Sequence, residues 1–167
     1  MYINFWYPVI LSEELKDEPV RVRMLGQNFV TFRDSKGAPK TLSDTCIHRG
    51  GSLSGGVIRD DCIQCPYHGW RFDGEGECKR IPSLGKDAKI PKRTRIDAYP
   101  TEEKYGIVFA FLGDLEKSKR PPIMPIAELD DEENWRANWL NYEAKINFER
   151  SIENGLDAAH NEFVHPT

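Results

Sequence analysis

Two short loops constrain this chain more than anything else in it. The stretch "CIHRGG", Cys46 to Gly51, puts a cysteine and a histidine one residue apart ahead of two glycines. Fourteen residues past Gly51, "CPYHGW", Cys65 to Trp70, repeats the pattern with two residues between cysteine and histidine. The chain has only four histidines and four cysteines in 167 residues, so half of each type sits in these two loops. Gly50, Gly51, Gly55, Gly56 and Gly69, with Pro66, suit loops that turn tightly and aim backbone amides inward.

Cys46, His48, Cys65 and His68 together supply two thiolates and two imidazoles, a donor set for two kinds of centre. A structural zinc takes two cysteines and two histidines tetrahedrally, although its usual spacing groups like with like. A mixed-ligand 2Fe-2S cluster places two cysteines on one iron and two histidines on the other. One cysteine and one histidine per loop lets two loops clamp two irons, which accounts for the doubling. Two ferric ions, two sulfides and two thiolates sum to zero when the imidazoles are neutral, so such a cluster accepts an electron more readily than an all-thiolate one. Cys62 also forms a Cys62-x2-Cys65 pair, but Cys62 falls in a strand candidate and Cys78 beyond the next hairpin, so both read as small buried residues. Tyr67, Trp70 and Phe72 read as packing for the loops, and Arg49 and Arg71 as solvated or ion-paired surface.

Around these loops the chain reads as mainly β. "PVRVRML" alternates Val20, Val22 and Met24 with charged residues, and "NFVTFRD" follows before a turn at Asp34 to Gly37. "PKTLSD", "RDDCIQ", "WRFD", "ECKRI", "RTRIDAYP" and "YGIVFAFLG" are further strand candidates, with "DGEG" as a hairpin turn. These make an antiparallel β domain over residues 1–116. "DLEKSKRPPIMP" is charged and proline-rich, which predicts a linker over 117–125. Residues 126–167 predict a helix near Ile126 to Glu133, a strand-like "WRANWLNYEAKI" and a helix from Phe148 to Phe163, too little to bury a core unaided. Apolar residues at 39%, 23 basic against 27 acidic side chains and a net charge of −4 fit a globular protein with no polycationic face, so no nucleic-acid or membrane partner is expected. The first residues lack a basic start and a small-residue cleavage site, and no segment reaches the ~20 apolar residues that span a bilayer, so a cytoplasmic location is expected.

The end of the chain, "ENGLDAAHNEFVHPT", holds the other two histidines. On a helix Glu153, Asp157 and His160 would share a face. Pro166 disfavours helical geometry just before it, so the helix should loosen and turn His165 back toward His160. Two such histidines can fill two positions of a 2-His-1-carboxylate iron site. Asp157 is a candidate carboxylate; Glu153 and Asn154 have no clear role beyond facing solvent.

The paired motifs resemble those of Rieske iron-sulfur proteins, and the setting, "NFWYPV", "CIHRGGSLSGG", "CPYHGWRFDGEGEC" and "YGIVFAFLGD", resembles Rieske non-haem iron oxygenases over essentially the whole chain. The resemblance implies a Rieske-type antiparallel β domain followed by the start of an α+β catalytic domain. It implies a [2Fe-2S] cluster on Cys46, His48, Cys65 and His68, and a mononuclear Fe(II) on His160 and His165, whose third ligand is an aspartate further along than Thr167. Asp157 matches the family's bridging carboxylate, hydrogen-bonded to His160 and to His68 of an adjacent subunit. Respiratory Rieske proteins carry a loop-to-loop disulfide where this chain has Gly51 and Tyr67, and potential-raising hydroxyls where it has Trp70 and Phe72. A potential toward the low end of the range of roughly −150 to +300 mV is therefore expected. An NAD(P)H-dependent reductase or ferredoxin as electron donor, O2 and an organic substrate, and a homotrimer are also implied. Hydroxylation or oxidative demethylation is the expected reaction, catalysed by a longer chain than this portion. A stand-alone Rieske ferredoxin and a zinc-stabilised module are the rival readings.

Overall fold

The computed structural model of the chain describes residues 3–85 and 88–165. Its residues group into two units, divided between Ile126 and Ala127. The first carries strands β1 (Phe5–Leu11), β2 (Val20–Met24), β3 (Gln27–Arg33), β4 (Pro39–Ser43), β5 (Val57–Arg59), β6 (Cys62–Gln64), β7 (Arg71–Asp73), β8 (Cys78–Arg80), β9 (Ala98–Tyr99), β10 (Thr101–Lys104) and β11 (Ile107–Leu112). All pair antiparallel, in the orders β1-β11-β10, β2-β3-β4-β9 and β5-β6-β7-β8.

The central strand β3 buries Phe29, Val30, Thr31 and Phe32 in succession, so both of its faces are covered. Its polar member is satisfied from across the ladder. Thr31 is opposite Thr41, and the two hydroxyls lie 3.2 Å apart in the interior. The third sheet is made of three-residue strands and packs Ile63 and Phe72, both fully buried, against Val30, Phe32, Leu42 and Leu53. Burying each such side chain contributes about 1.5–3 kcal/mol. This core continues without a break into Cys46 and Cys65, so the paired loops are rooted in it.

Several elements differ from the sequence expectation for physical reasons. "RDDCIQ" is two strands, because Asp60 and Asp61 both take left-handed φ, 53° and 57°, and turn the chain back on itself. Aspartate tolerates that region better than most residues. Strand β1, which carries Pro8, is not among the sequence's strand candidates. It lies at a sheet edge with a register shift between Pro8 and Ile10, where proline is tolerated. The expected linker 117–125 belongs with the first unit: Trp6 Nε1 donates to Pro121 O at 2.7 Å, Arg120 lies 5.4 Å over the Phe111 ring, and Ile123 is 7% exposed.

The second unit is helical and irregular. Helix α1 (Ala127–Asp130) is a single turn, shorter than expected, and "WRANWLNYEAKI" forms no strand among the described residues. Helix α2 (Phe148–Leu156) starts at Asn147, whose side chain accepts from Glu149 N–H at 2.9 Å. It ends at Asp157 (φ −87°, ψ 84°), after which a 3-10 turn over Ala158–His160 leads into α3 (Asn161–Val164). The continuous helix to Phe163, with Glu153, Asp157 and His160 on one face, is thus not formed. Asp157 breaks it by accepting from Ala159 N–H at 3.2 Å, as N-capping aspartates do. Pro166 lies outside the described residues. Among the described residues no helix is long and apolar enough to cross a membrane.

Arg33 ties the first unit together. Its Nε donates to Leu15 O (2.8 Å), Nη1 to Gly37 O (2.8 Å) and Glu103 Oε2 (2.7 Å), and Nη2 to Ser12 O (3.0 Å). It therefore joins the end of β3 to the segment after β1 and to β10. Replacing it by methionine strands these acceptors and is expected to cost roughly 2 kcal/mol, since a hydrogen bond to a charged group is worth about 1.5–3. The Arg33 guanidinium holds the Glu103 carboxyl below its ordinary value of 4.5. A depressed folded value means that this contribution is complete above that pH and is lost as the pH falls through the folded value. Glu103→Gln should therefore lower the thermal midpoint at pH 7 and lower it progressively less on acidification toward pH ~3, as read by circular dichroism.

Candidate metal centre

The first loop leads from β4 toward β5, and the second is the turn joining β6 to β7. Their closures are the same. Cys46 N–H donates to Gly51 O (2.9 Å) and Gly50 N–H to Cys46 O (2.8 Å); Cys65 N–H donates to Trp70 O (2.8 Å) and Gly69 N–H to Cys65 O (3.0 Å). In each, the fourth residue after the cysteine is a glycine with left-handed φ, 69° at Gly50 and 71° at Gly69, where a side chain would be strained. The loops differ in placing the histidine second or third after the cysteine.

They also face each other. A Cβ built on Gly51 would lie 3.1 Å from Cys65 Sγ and 3.4 Å from Tyr67 Cβ. Disulfide-bonded Cβ atoms sit about 3.5–4.5 Å apart, so the two places that the resemblance associates with a disulfide are in contact here without one.

Donors of one kind meet across this interface. Cys46 and Cys65, each 2% exposed, are close neighbours in the core. Burial pushes the Cys46 thiol up to about 11, while the backbone N–H groups of His48 and Arg49 aim at its sulfur and act the other way. Such amides stabilise a sulfur that must become anionic to bind metal. The His48 and His68 rings meet edge to face, centroids 4.5 Å apart and planes at 70°. His48 is pushed below its ordinary value, by desolvation first and then by the nearness of His68 and Arg49. Its Nδ1 is buried with no hydrogen-bond partner. A neutral imidazole with an orphaned nitrogen is in the state in which it ligates metal.

This arrangement discriminates between the two centres. Zinc needs all its donors on one point at about 2.0–2.3 Å, whatever their type. Thiol is paired with thiol and ring with ring, which suits a group with a sulfur-bound end and a nitrogen-bound end. Cys46, His48, Cys65 and His68 can hold a [2Fe-2S] cluster. The sulfur end is rooted in the core, whereas His48 is half-buried and His68 is exposed. Tyr67 packs on His68 at 4.0 Å, and Trp70 stacks on His48.

The sequence reading missed Asp44, the anchor of the first loop. This carboxylate is 3% exposed and accepts from Ser52 Oγ (2.7 Å), Ser54 N–H (2.6 Å) and Ser54 Oγ (3.0 Å), with Arg21 Nε at 3.4 Å. It clamps together the two stems of the loop, which also meet in a bridge between Thr45 and Ser52. The signal was an aspartate just before the loop with Ser52 and Ser54 just after it, residue types that bond nearby backbone. Arg71 does similar work on the second loop, donating to Gln64 Oε1 (2.9 Å) and Asp60 Oδ2 (2.5 Å), so it is the ion-paired residue expected. Cys62 and Cys78 are free and buried, also as expected.

In the second unit the His160 and His165 rings approach to 5.5 Å at 71°, so His165 does turn back. Asp157 Oδ2 lies 3.5 Å from His160 Nδ1, the carboxylate thereby serving both as helix cap and as ring neighbour. Asp157, His160 and His165 do not converge as three ligands of one ion. Glu153 is exposed and pairs with Arg150, and Asn154 O accepts from Asp157 N–H, so neither joins the site.

Residues 5–100 match the family of Rieske [2Fe-2S] domains. Over 164 residues the chain is 31% identical to the 3-chlorobenzoate-3,4-dioxygenase oxygenase subunit of Comamonas testosteroni, covering 97% of this chain and 37% of that one. It is 35% identical over 164 residues to the 4beta-methylsterol monooxygenase of Methylococcus capsulatus, covering 97% of this chain and 44% of that one. A crystal structure of dicamba monooxygenase bound to 3,6 dichlorosalicylic acid superposes with a TM-score of 0.85 at 28% identity, over 97% of this chain and 47% of that chain. The chain thus spans less than half the length of these relatives.

Asp44→Ala removes the carboxylate that holds the Ser54 N–H and the Ser52 and Ser54 hydroxyls; Ser52 is exposed and Ser54 half-buried, so water satisfies these donors in part. We expect a loss of about 1–3 kcal/mol in chemical denaturation and a partial recovery in Asp44→Asn, which keeps one acceptor oxygen.

Proposed function

The chain belongs to the Rieske [2Fe-2S] family, and on that premise we propose that it is part of an oxygenase component, carrying the cluster domain and the first two histidine ligands of a mononuclear iron. The observation that carries the reading is the pairing of Cys46 with Cys65 and of His48 with His68, like donors together in one interface between two equivalent loops. When bound, the cluster supplies one-electron storage, and the mononuclear iron supplies dioxygen activation for hydroxylation or oxidative demethylation of an organic substrate.

The chain's own residues have distinct tasks. Cys46 and Cys65 release their protons on ligation, with the His48 and Arg49 amides facing the Cys46 sulfur to compensate the charge. His68 stands at the protein surface, where an imidazole can meet a partner, while His48 is held inward. Asp157 stands beside the His160 ring, with Oδ2 3.5 Å from an Nδ1 that is buried without a hydrogen-bond partner, so it is placed to orient that ring when iron takes the other nitrogen, and His165 provides a second nitrogen nearby. The exposed Asp157 carboxylate is suited to receive His68 of a neighbouring subunit in a homotrimer, so that one carboxylate would align both rings. Electrons would come from an NAD(P)H-dependent reductase or a ferredoxin. The alternative of a stand-alone electron carrier is weakened by the similarity to oxygenases, which runs over 97% of the chain and not only through the cluster domain.

Two outcomes test this. His48→Ala and His68→Ala should each abolish the visible absorption of the cluster in protein that retains its far-ultraviolet circular dichroism; a full spectrum in either variant rejects the ligand assignment. In the full-length protein Asp157→Ala should leave both metals bound and slow single-turnover reoxidation of the cluster by about 10- to 100-fold, in line with losses at residues that orient metal ligands. An unchanged rate rejects the bridge.

A further inference from the structure

Trp70 ends the second loop, its carbonyl accepting from Cys65 N–H at 2.8 Å, yet its indole serves the first. It lies flat on His48, centroids 4.5 Å apart and planes within 4°. That contact contrasts with the edge-to-face packing of His48 on His68 at 70°. The half-buried indole also packs against the hydrophobic core that contains both loop cysteines, a second contact that helps to hold the ring in place. His48 is thereby covered on one face by the indole and on one edge by His68. Its counterpart His68 meets a tilted and largely exposed Tyr67, 64% accessible, and is itself exposed. The two histidines are therefore held very differently.

An aromatic face is the negative part of the ring quadrupole, and a large apolar ring excludes water. Both properties act against added negative charge nearby. A reduced cluster of this ligand set carries one more negative charge than the neutral oxidised one, so a flat indole on one ligand favours the oxidised state. We propose that Trp70 is a positioning residue for the cluster: it fixes the plane of His48 and, by keeping water from that side, holds the reduction potential low. The inference rests on the reading that Cys46, His48, Cys65 and His68 carry a [2Fe-2S] cluster. Its tie runs between loops, because the residue that closes one loop sets the ring of the other.

The test is a redox titration of the full-length protein, followed by visible and electron paramagnetic resonance spectra, for the wild type, Trp70→Phe and Trp70→Leu. The expected result is a potential that rises in the order Trp, Phe, Leu. The g anisotropy and histidine nitrogen couplings should shift in Trp70→Leu and return toward the wild type in Trp70→Phe, which keeps a ring to stack. An unchanged or lowered potential in the variants that hold the cluster overturns the proposal. Loss of the cluster from both variants also overturns it, by reducing Trp70 to a folding role. A wild type without a Rieske-type signal would instead reject the cluster reading itself.

Discussion

The structure depends on two loops that close in the same way and pack against each other. Each uses the backbone of a cysteine at both ends of its closure and a left-handed glycine four residues on. Because the loops face each other, the two cysteines come together on the core side and the two histidines together on the outer side. The rest of the β unit serves this arrangement. The third sheet supplies both stems of the second loop, and Asp44 gathers the stems of the first. The buried side chains of Val30, Leu53, Ile63 and Phe72 form the floor.

Burial then sorts the chemistry. Burial disfavours the anionic form of the Cys46 thiol and so raises it, while nearby amides oppose the rise. At the rim, the orphaned Nδ1 of His48 is the clearest sign that a partner is expected there. The graded exposure, from core cysteines through half-buried His48 to exposed His68, gives the proposed cluster an insulated end and an accessible one. In the second unit the same economy is seen in Asp157, which ends one helix, caps the next turn and stands beside His160.

Much of this was legible in the sequence because the informative residues are rare or conformationally special. Cysteine and histidine in two matching loops pointed to the donor set, and the alternation in "PVRVRML" and "NFVTFRD" pointed to β2 and β3. Other features were hidden by context. Asp60 and Asp61 interrupt what reads as one strand, since nothing local reveals that both adopt left-handed φ. The edge position that tolerates Pro8 in β1 is a property of the sheet and not of the segment. Nothing local marks Asp44 as special; its role comes from the three donors and Arg21 that the fold gathers around it. The long helix expected through Asp157 failed because the capping tendency of an aspartate outweighed the helical spacing of its neighbours.

Mössbauer spectroscopy of the 57Fe-enriched, oxidised protein tests the central claim most directly, because it reads the ligands of each iron separately. The account predicts two iron sites of equal weight with unlike parameters within the cluster, one set by Cys46 and Cys65 and one by His48 and His68. A pair of equivalent irons, or a single divalent ion without acid-labile sulfide at these four residues, would contradict it.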